Sequence, residues 1–195
     1  MPEAGFKRDT DLPVTGGKYL RLKAKGDKIK FLIANTPHYE TKHWTSEREN
    51  VLCDRYNGQG KKAVCVACVK YRDLLALAGD DKEKIEIANK LKPQVTFYYP
   101  VLDLKTDEPV IFQTSPSVHW TIVGYKEDGV DVFACAWAVE RTEEPGKYYE
   151  VRRLDAVKLS TDQEESLARA KQIVLSKGQA SSSVTEETDE EEEEE

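Results

Sequence analysis

Cys65-Val66-Ala67-Cys68 sets two thiols close enough in the chain to bind one metal ion. Cys53 stands twelve residues before that pair, and His43 ten residues before Cys53. One imidazole and three thiolates form the donor set of a tetrahedral zinc site whose four positions are all filled by protein, with none left for a substrate or a catalytic water. His38 is an alternative histidine for the same set. The surrounding segment calls for such a centre. Residues 46–64 are polar, carry Gly58 and Gly60 and show no periodicity. A structureless stretch of 19 residues is unusual in a compact domain unless something staples it. One structural Zn2+ is therefore the expected cofactor. Cys135, between Phe133 and Trp137, reads as a small buried hydrophobe, and His119, beside Trp120, as structural.

The same residues admit enzymatic readings. His38-Tyr39-Glu40 ahead of Cys65-x-x-Cys68 mimics the His-x-Glu…Cys-x-x-Cys order of zinc nucleoside deaminases, in which the Glu shuttles the proton. That signature has Pro before its Cys-x-x-Cys, where this chain has Val64, and its His-x-Glu opens a helix, whereas His38 follows Pro37 in strand-like surroundings. A thioredoxin-like redox pair would need a βαβ context that the element order lacks. No other nucleophile stands with a base, and there is no glycine-rich phosphate loop, so the chain reads as a non-enzyme.

The elements that must position these residues follow from periodicity. Lys18 to Ile33 reads as a β-hairpin: Leu20 and Leu22 alternate with basic residues, Gly26-Asp27 supplies a turn, and Ile29, Phe31 and Ile33 alternate with Lys28 and Lys30. His38–Thr45 is a further strand. After Cys68 the period lengthens to that of a helix, with Tyr71, Leu74, Leu75 and Ala78 on one face, and a second helix covers Asp81–Leu91 before Pro93. Strands are expected at Gln94–Leu104 and Pro109–Thr114, and a helix over Ser115–Tyr125 ended by Gly124. Val132–Arg141 and Lys147–Arg153 flank a Glu-Glu-Pro-Gly turn, and Ser160 or Thr161 caps a helix to about Ser176. Strands, a stapled loop, helices and again strands, with no alternating βαβ series, argue for a mainly β, α+β domain with helical insertions, most simply an antiparallel barrel. The expected organisation is a flexible arm (1–17), a β-domain (18–159) with the zinc-binding insertion at about 38–92, a C-terminal helix (160–177), and a linker with acidic tail (178–195).

Charge is divided along the 195 residues. The net charge of −7 is owed to residues 186–195, which hold nine acids and no base; without them 29 basic face 27 acidic residues, net +2. Residues 1–72 hold 15 basic and 8 acidic side chains. A basic portion joined to a polyanionic tail points to an anionic partner, and the tail has no apolar anchor with which to fold. Many of the 17 aromatics stand beside bases, as in Lys18-Tyr19 with Arg21, Lys42-His43-Trp44, Arg55-Tyr56 and Lys147-Tyr148. Rings that stack on unpaired bases and cations that track phosphates are what single-stranded nucleic acid binding needs. The candidates are Tyr19, Arg21, Lys28, Lys30, Trp44, Tyr56, Lys61, Lys62 and Tyr148, while Phe31, Phe97, Phe112 and Phe133 read as core. No run of 18 apolar residues exists and the N-terminus has no apolar signal core, so no membrane association and a cytoplasmic location are expected.

The basic KYLRLKAKGDKIKFLI segment, the His…Cys…Cys-x-x-Cys loop, the strands ending in DVFACAWAVERTEEPGKYYEV, the C-terminal helix and the acidic tail together resemble the single-stranded DNA-binding proteins of tailed bacteriophages. The resemblance implies an OB-type barrel, zinc in an inserted subdomain held by His43, Cys53, Cys65 and Cys68, and DNA in a cleft between the two. Trp44 and Tyr56 would stack on bases, and Arg141 would border the cleft. It also implies a role in coating single-stranded DNA during replication, recombination or repair, with replication or recombination proteins as partners of the tail. The tail ends in glutamates, without the terminal Phe of bacterial single-stranded DNA-binding tails. The competing readings are the zinc deaminase and a zinc-containing module that binds proteins or RNA.

Overall fold

A computed structural model of the chain describes residues 18–44, 50–53, 64–144 and 146–173, without the side chains of Trp44, Asn50 and Glu143. The expected arm, Tyr56, Lys61, Lys62 and the acidic tail lie outside the described residues. Eight strands and four helices follow one another as β1 (Lys18–Arg21), β2 (Lys28–Ile33), β3 (His38–Trp44), β4 (Asn50–Leu52), α1 (Val66–Ala78), α2 (Lys82–Lys90), β5 (Gln94–Asp103), β6 (Glu108–Thr114), α3 (Pro116–Glu127), β7 (Ala136–Glu144), β8 (Lys147–Arg153) and α4 (Thr161–Lys171). The expected α+β class with helices inserted among antiparallel strands holds.

β5 is the spine of a single sheet ordered β1-β6-β5-β2-β7-β8. Its whole second half and part of its first pair with β6, from Phe97↔Thr114 to Asp103↔Glu108. Its other edge is shared: β3 takes Gln94–Tyr98 and β2 takes Val101–Asp103. Pro100, which has no N–H to give, lies where one partner strand is exchanged for the next. Period-two patterning sets the two faces. Ile29, Phe31 and Ile33 of β2 join Tyr99, Phe112, Val118, Ile122, Trp137 and Val139 in the main core beneath α3. The opposite face is covered from α4 and its flanks, with Ile173 on Tyr98 and Ile111, and Leu167 among Leu32, Leu102 and Ala136.

Several expectations need correction. Residues 46–64 are not structureless throughout, because Asn50–Leu52 forms β4 by pairing with the end of β3. Lys18–Ile33 is not a hairpin: β1 runs parallel to β6 (Lys18↔Val110 to Arg21↔Gln113), while β2 lies between β5 and β7. The turn itself is present, because the Asp27 carboxylate accepts from the backbone N–H groups of Lys23 and Ala24, each at 2.7 Å. The chain beyond it separates because Gly26 and Arg141 bond through their backbones, as do Arg141 and Asp27, which ties the turn to β7. Phe133 is 42% exposed, since Asp131 accepts from its N–H in a turn that precedes β7 and aims Val132 and Cys135 inward instead. α3 runs past Gly124 to Glu127 and is stopped at Gly129, whose φ of +85° suits glycine.

α3 packs on both β5 and β8, which are separated by two strands in the sheet order, so the sheet curls around this helix. The curl stops short of a closed barrel: among the described residues no strand pair joins β1 to β8. A guanidinium bridges the gap instead, Arg141 donating from Nη1 to the carbonyl of Leu22 at 3.1 Å.

Candidate metal centre and the groove beside it

The structure brings His43, Cys53, Cys65 and Cys68 together, with their four ligand atoms within 4.8 Å of one another. His43 Nε2 lies 3.4 Å from the sulfurs of both Cys65 and Cys68, and Cys53 Sγ is 3.5 Å from Cys68 Sγ. A tetrahedral site with Zn–S near 2.3 Å and Zn–N near 2.0 Å has ligand–ligand edges of about 3.5–3.8 Å. A disulfide would need about 2.05 Å, and all four cysteines are free thiols. The arrangement is compatible with one buried structural metal ion held by four protein ligands.

Each ligand comes from a different local device. His43 faces inward from β3, fully buried, and its Nδ1–H donates to the carbonyl of Leu91 at the end of α2, 2.7 Å away. That bond fixes the tautomer and leaves Nε2 free to ligate. Cys53 follows β4, and its N–H donates to the carbonyl of Thr41, extending the β3–β4 pairing by one step. Cys65 is the N-cap of α1, so the pair spans the first turn of that helix. Burial works against ionising Cys65, but the N–H groups of Cys68 and Ala67 and the neighbouring Cys53 thiol outweigh it and hold the group below the usual thiol range. Burial, with the other two sulfurs close by, pushes Cys68 up to about 12. Three buried thiolates repel one another, and a divalent cation among them reverses that balance.

His38 does not join the cluster. Alternation along β3 puts His38, Glu40 and Lys42 on the face opposite Tyr39, Thr41 and His43. There Glu40, fully buried, pairs with Lys42 Nζ at 2.9 Å, and Lys42 also donates to the Tyr98 hydroxyl at 3.0 Å.

Beside the centre, the seam between β1 and β8 opens into a groove of about 440 Å³. Its walls include Arg21 of β1, Gln94 and Thr96 of β5, Thr114 and Ser115 where β6 passes into α3, and Tyr149 of β8. Pro93, two residues after the Leu91 that orients His43, lines its end. Trp120 lies one helical turn beyond Pro116, is 57% exposed, and rests edge-on against Phe97 and His119.

The expected nucleic-acid contacts are distributed unevenly over this surface. Arg21 lines the groove, whereas Arg141 is not among its lining residues and lies with its guanidinium 6.0 Å from the ring centroid of Tyr149, which is. Tyr148 is exposed on β8. Lys28 and Lys30 are exposed, but they share a face with Leu32 and with the Arg152–Glu140–Glu150 ion pairs, away from the groove. Tyr19 is turned inward, edge-on to Tyr98 at 6.2 Å, and does not line the groove. The backbone of Trp44 closes β3, and nothing more of this residue is described. Trp120, Tyr149 and Thr114 were not singled out from sequence. For Trp120 a signal existed: Val118 and Ile122 define the buried side of α3, and position 120 falls well away from it. Tyr149 and Thr114 gain their position only from the curl of the sheet. No family model matches this chain, and no curated protein matches it.

Proposed function

We propose that this protein binds single-stranded DNA with little sequence preference, as a coating protein of replication, recombination or repair, and that the metal held by its one histidine and three cysteines is a structural Zn2+. The observation that carries the reading is the groove at the seam, which joins a cation from β1, the Tyr149 ring of β8 and polar side chains of β5 and β6, with the Trp120 ring exposed on α3 outside its lining. Stacking on exposed rings and charge along a groove are sequence-tolerant by nature, because every base has a π-face and every nucleotide a phosphate. A metal set closed by four protein ligands suits scaffolding rather than hydrolysis. The deaminase reading draws no support from the site, since Glu40 faces away from the four ligands and is held by Lys42. The polyacidic tail fits the same reading as a competitor for the basic surface or a dock for replication proteins.

The test is a titration of intrinsic tryptophan fluorescence with oligo-dT, oligo-rU and duplex DNA at two salt concentrations. Trp137 is fully buried and should stay silent, whereas Trp120 should be quenched. Quenching by oligo-dT that weakens steeply with salt supports the reading. Removing the Trp120 ring (Trp120→Ala) should cost about 1–3 kcal/mol of binding. No response to any single strand would refute it.

A further inference from the structure

We infer that the α3 end of the seam groove is a phosphate subsite, a proposal that rests on the single-strand reading and gives it a contact point. Three kinds of donor lie in its lining or in the residues that directly follow it in the chain. Arg21 is exposed on the wall and makes no ion pair among the described residues. Pro116 occupies the first position of α3, and Ser115, at the N-cap, turns its hydroxyl to that of Ser117 (2.8 Å) and caps no backbone N–H. The N–H groups of Ser117 and Val118 therefore stand at the positive end of the helix dipole without an intrahelical acceptor. Independently of the helix, Thr114 lines the groove, is 5% exposed, and carries a buried hydroxyl with no hydrogen-bond partner. A buried hydroxyl without a partner is uncommon, and an oxygen seated in the groove would supply one.

The sign of the site is equally specific. Among the described residues no carboxylate lines this groove, and Arg21 is the one charged residue that does. A planar guanidinium and helix N–H groups match a tetrahedral oxyanion with several oxygens to share. The ligand chemistry is thus a phosphate group, supplied either by the phosphodiester of a single strand or by a free phosphate.

The experiment uses the full chain, zinc-loaded. Amide resonances are followed while inorganic phosphate replaces chloride at constant ionic strength, and oligo-dT affinity is measured for the wild type, Thr114→Val and Arg21→Ala. Phosphate should shift Ser117 and Val118 ahead of other amides. Thr114→Val should leave the melting temperature unchanged or raised, because it removes an unpaired buried hydroxyl, yet weaken oligo-dT binding several-fold. Arg21→Ala should weaken binding about tenfold and reduce the salt slope by about 0.7, the loss of one contact to a single strand. Oligo-dT bound with unchanged affinity and slope by both variants, with silent Ser117 and Val118 amides, would overturn the subsite and leave the single-strand reading standing. Phosphate shifts at those amides with no oligonucleotide binding would keep the subsite, as one for free phosphate, and sink the single-strand reading.

Discussion

His119 lies flat on Phe97, ring centroids 3.7 Å apart, and its Nδ1 accepts from the Tyr99 hydroxyl at 2.7 Å. Burial raises the Tyr99 hydroxyl well above its usual range and keeps it a donor, and burial pulls the imidazole down to about 4. The folded state thus holds a proton on His119 less readily than the unfolded chain, whose histidine titrates near 6.5. Between pH 6.5 and about 4 the unfolded state binds more protons, so stability is complete above this window and falls as pH drops through it, by about 3 kcal/mol at most. His119→Gln should be less stable at pH 8 and should lose less on acidification. Parallel losses in both proteins from pH 6.5 to 4 would clear His119 of the effect. The metal ligands respond to a different probe. Cys65→Ser should drop bound zinc from one per chain toward none and lower the melting temperature, because metal affinity in such sites is folding free energy. Metal content by mass spectrometry and a thermal melt check both. At this scale the three cysteines and a histidine were legible from spacing, but the choice between His38 and His43 was open until the fold showed which face of β3 meets the cysteines.

Helices and single strands were the next most readable elements. Asp81 caps α2 by accepting from Glu83 and Lys84, and Ser160 forms a capping box with Gln163 at the start of α4. Both are local devices that a sequence displays openly. Ser160→Ala should cost about 1 kcal/mol in a denaturant melt. α4 covers Leu32, Leu102 and Ala136 through Leu167, so the loss should be global rather than confined to the helix end. A shift under a few tenths of a kcal/mol would mean that α4 docks without its cap. Of the misread elements, Lys18–Ile33 departs furthest from its expected pairing. Its alternation and turn residues were read correctly, yet alternation says only that a strand has two faces. Whether β1 pairs with β2 or with β6 depends on which long-range edge is free, and the backbone bonds from the turn to β7 settle that choice.

On the single-strand reading, the curl of the sheet around α3 and the charge division of the chain would act together at the level of the whole molecule. A tail of ten residues with nine carboxylates is a polyanion tethered to a surface with cationic positions. If the residues before it act as the expected linker, its effective local concentration would be set by their length rather than by the solution. A chain ending at Ser183 should bind oligo-dT more tightly than the full chain, with the difference shrinking as salt screens both competitors. Equal affinities at low salt would remove the tail from the binding equilibrium. Chelation belongs to the same scale, since an ion held by His43, Cys53, Cys65 and Cys68 would tie β3, the end of β4 and the start of α1 together. Stripping the ion should lower the melting temperature of the entire domain, and readdition of zinc should restore it. Among the described residues no helix is long and apolar enough to cross a membrane.

The three cysteines with a nearby histidine, most of the strands and helices, their caps and the polyanionic tail can be read from the chain, because each is written in residue types a few positions apart. Which histidine joins the cysteines, and which candidate binding residues meet, came from the fold. It turned Tyr19 inward, set Lys28 and Lys30 on another face, and brought Arg21 and Tyr149, from opposite ends of the sheet order, to one groove with Thr114 and the start of α3. The physical reason is that a curled sheet joins its edges through pairings and packing between segments far apart in the chain. Local periodicity carries no record of which edges meet.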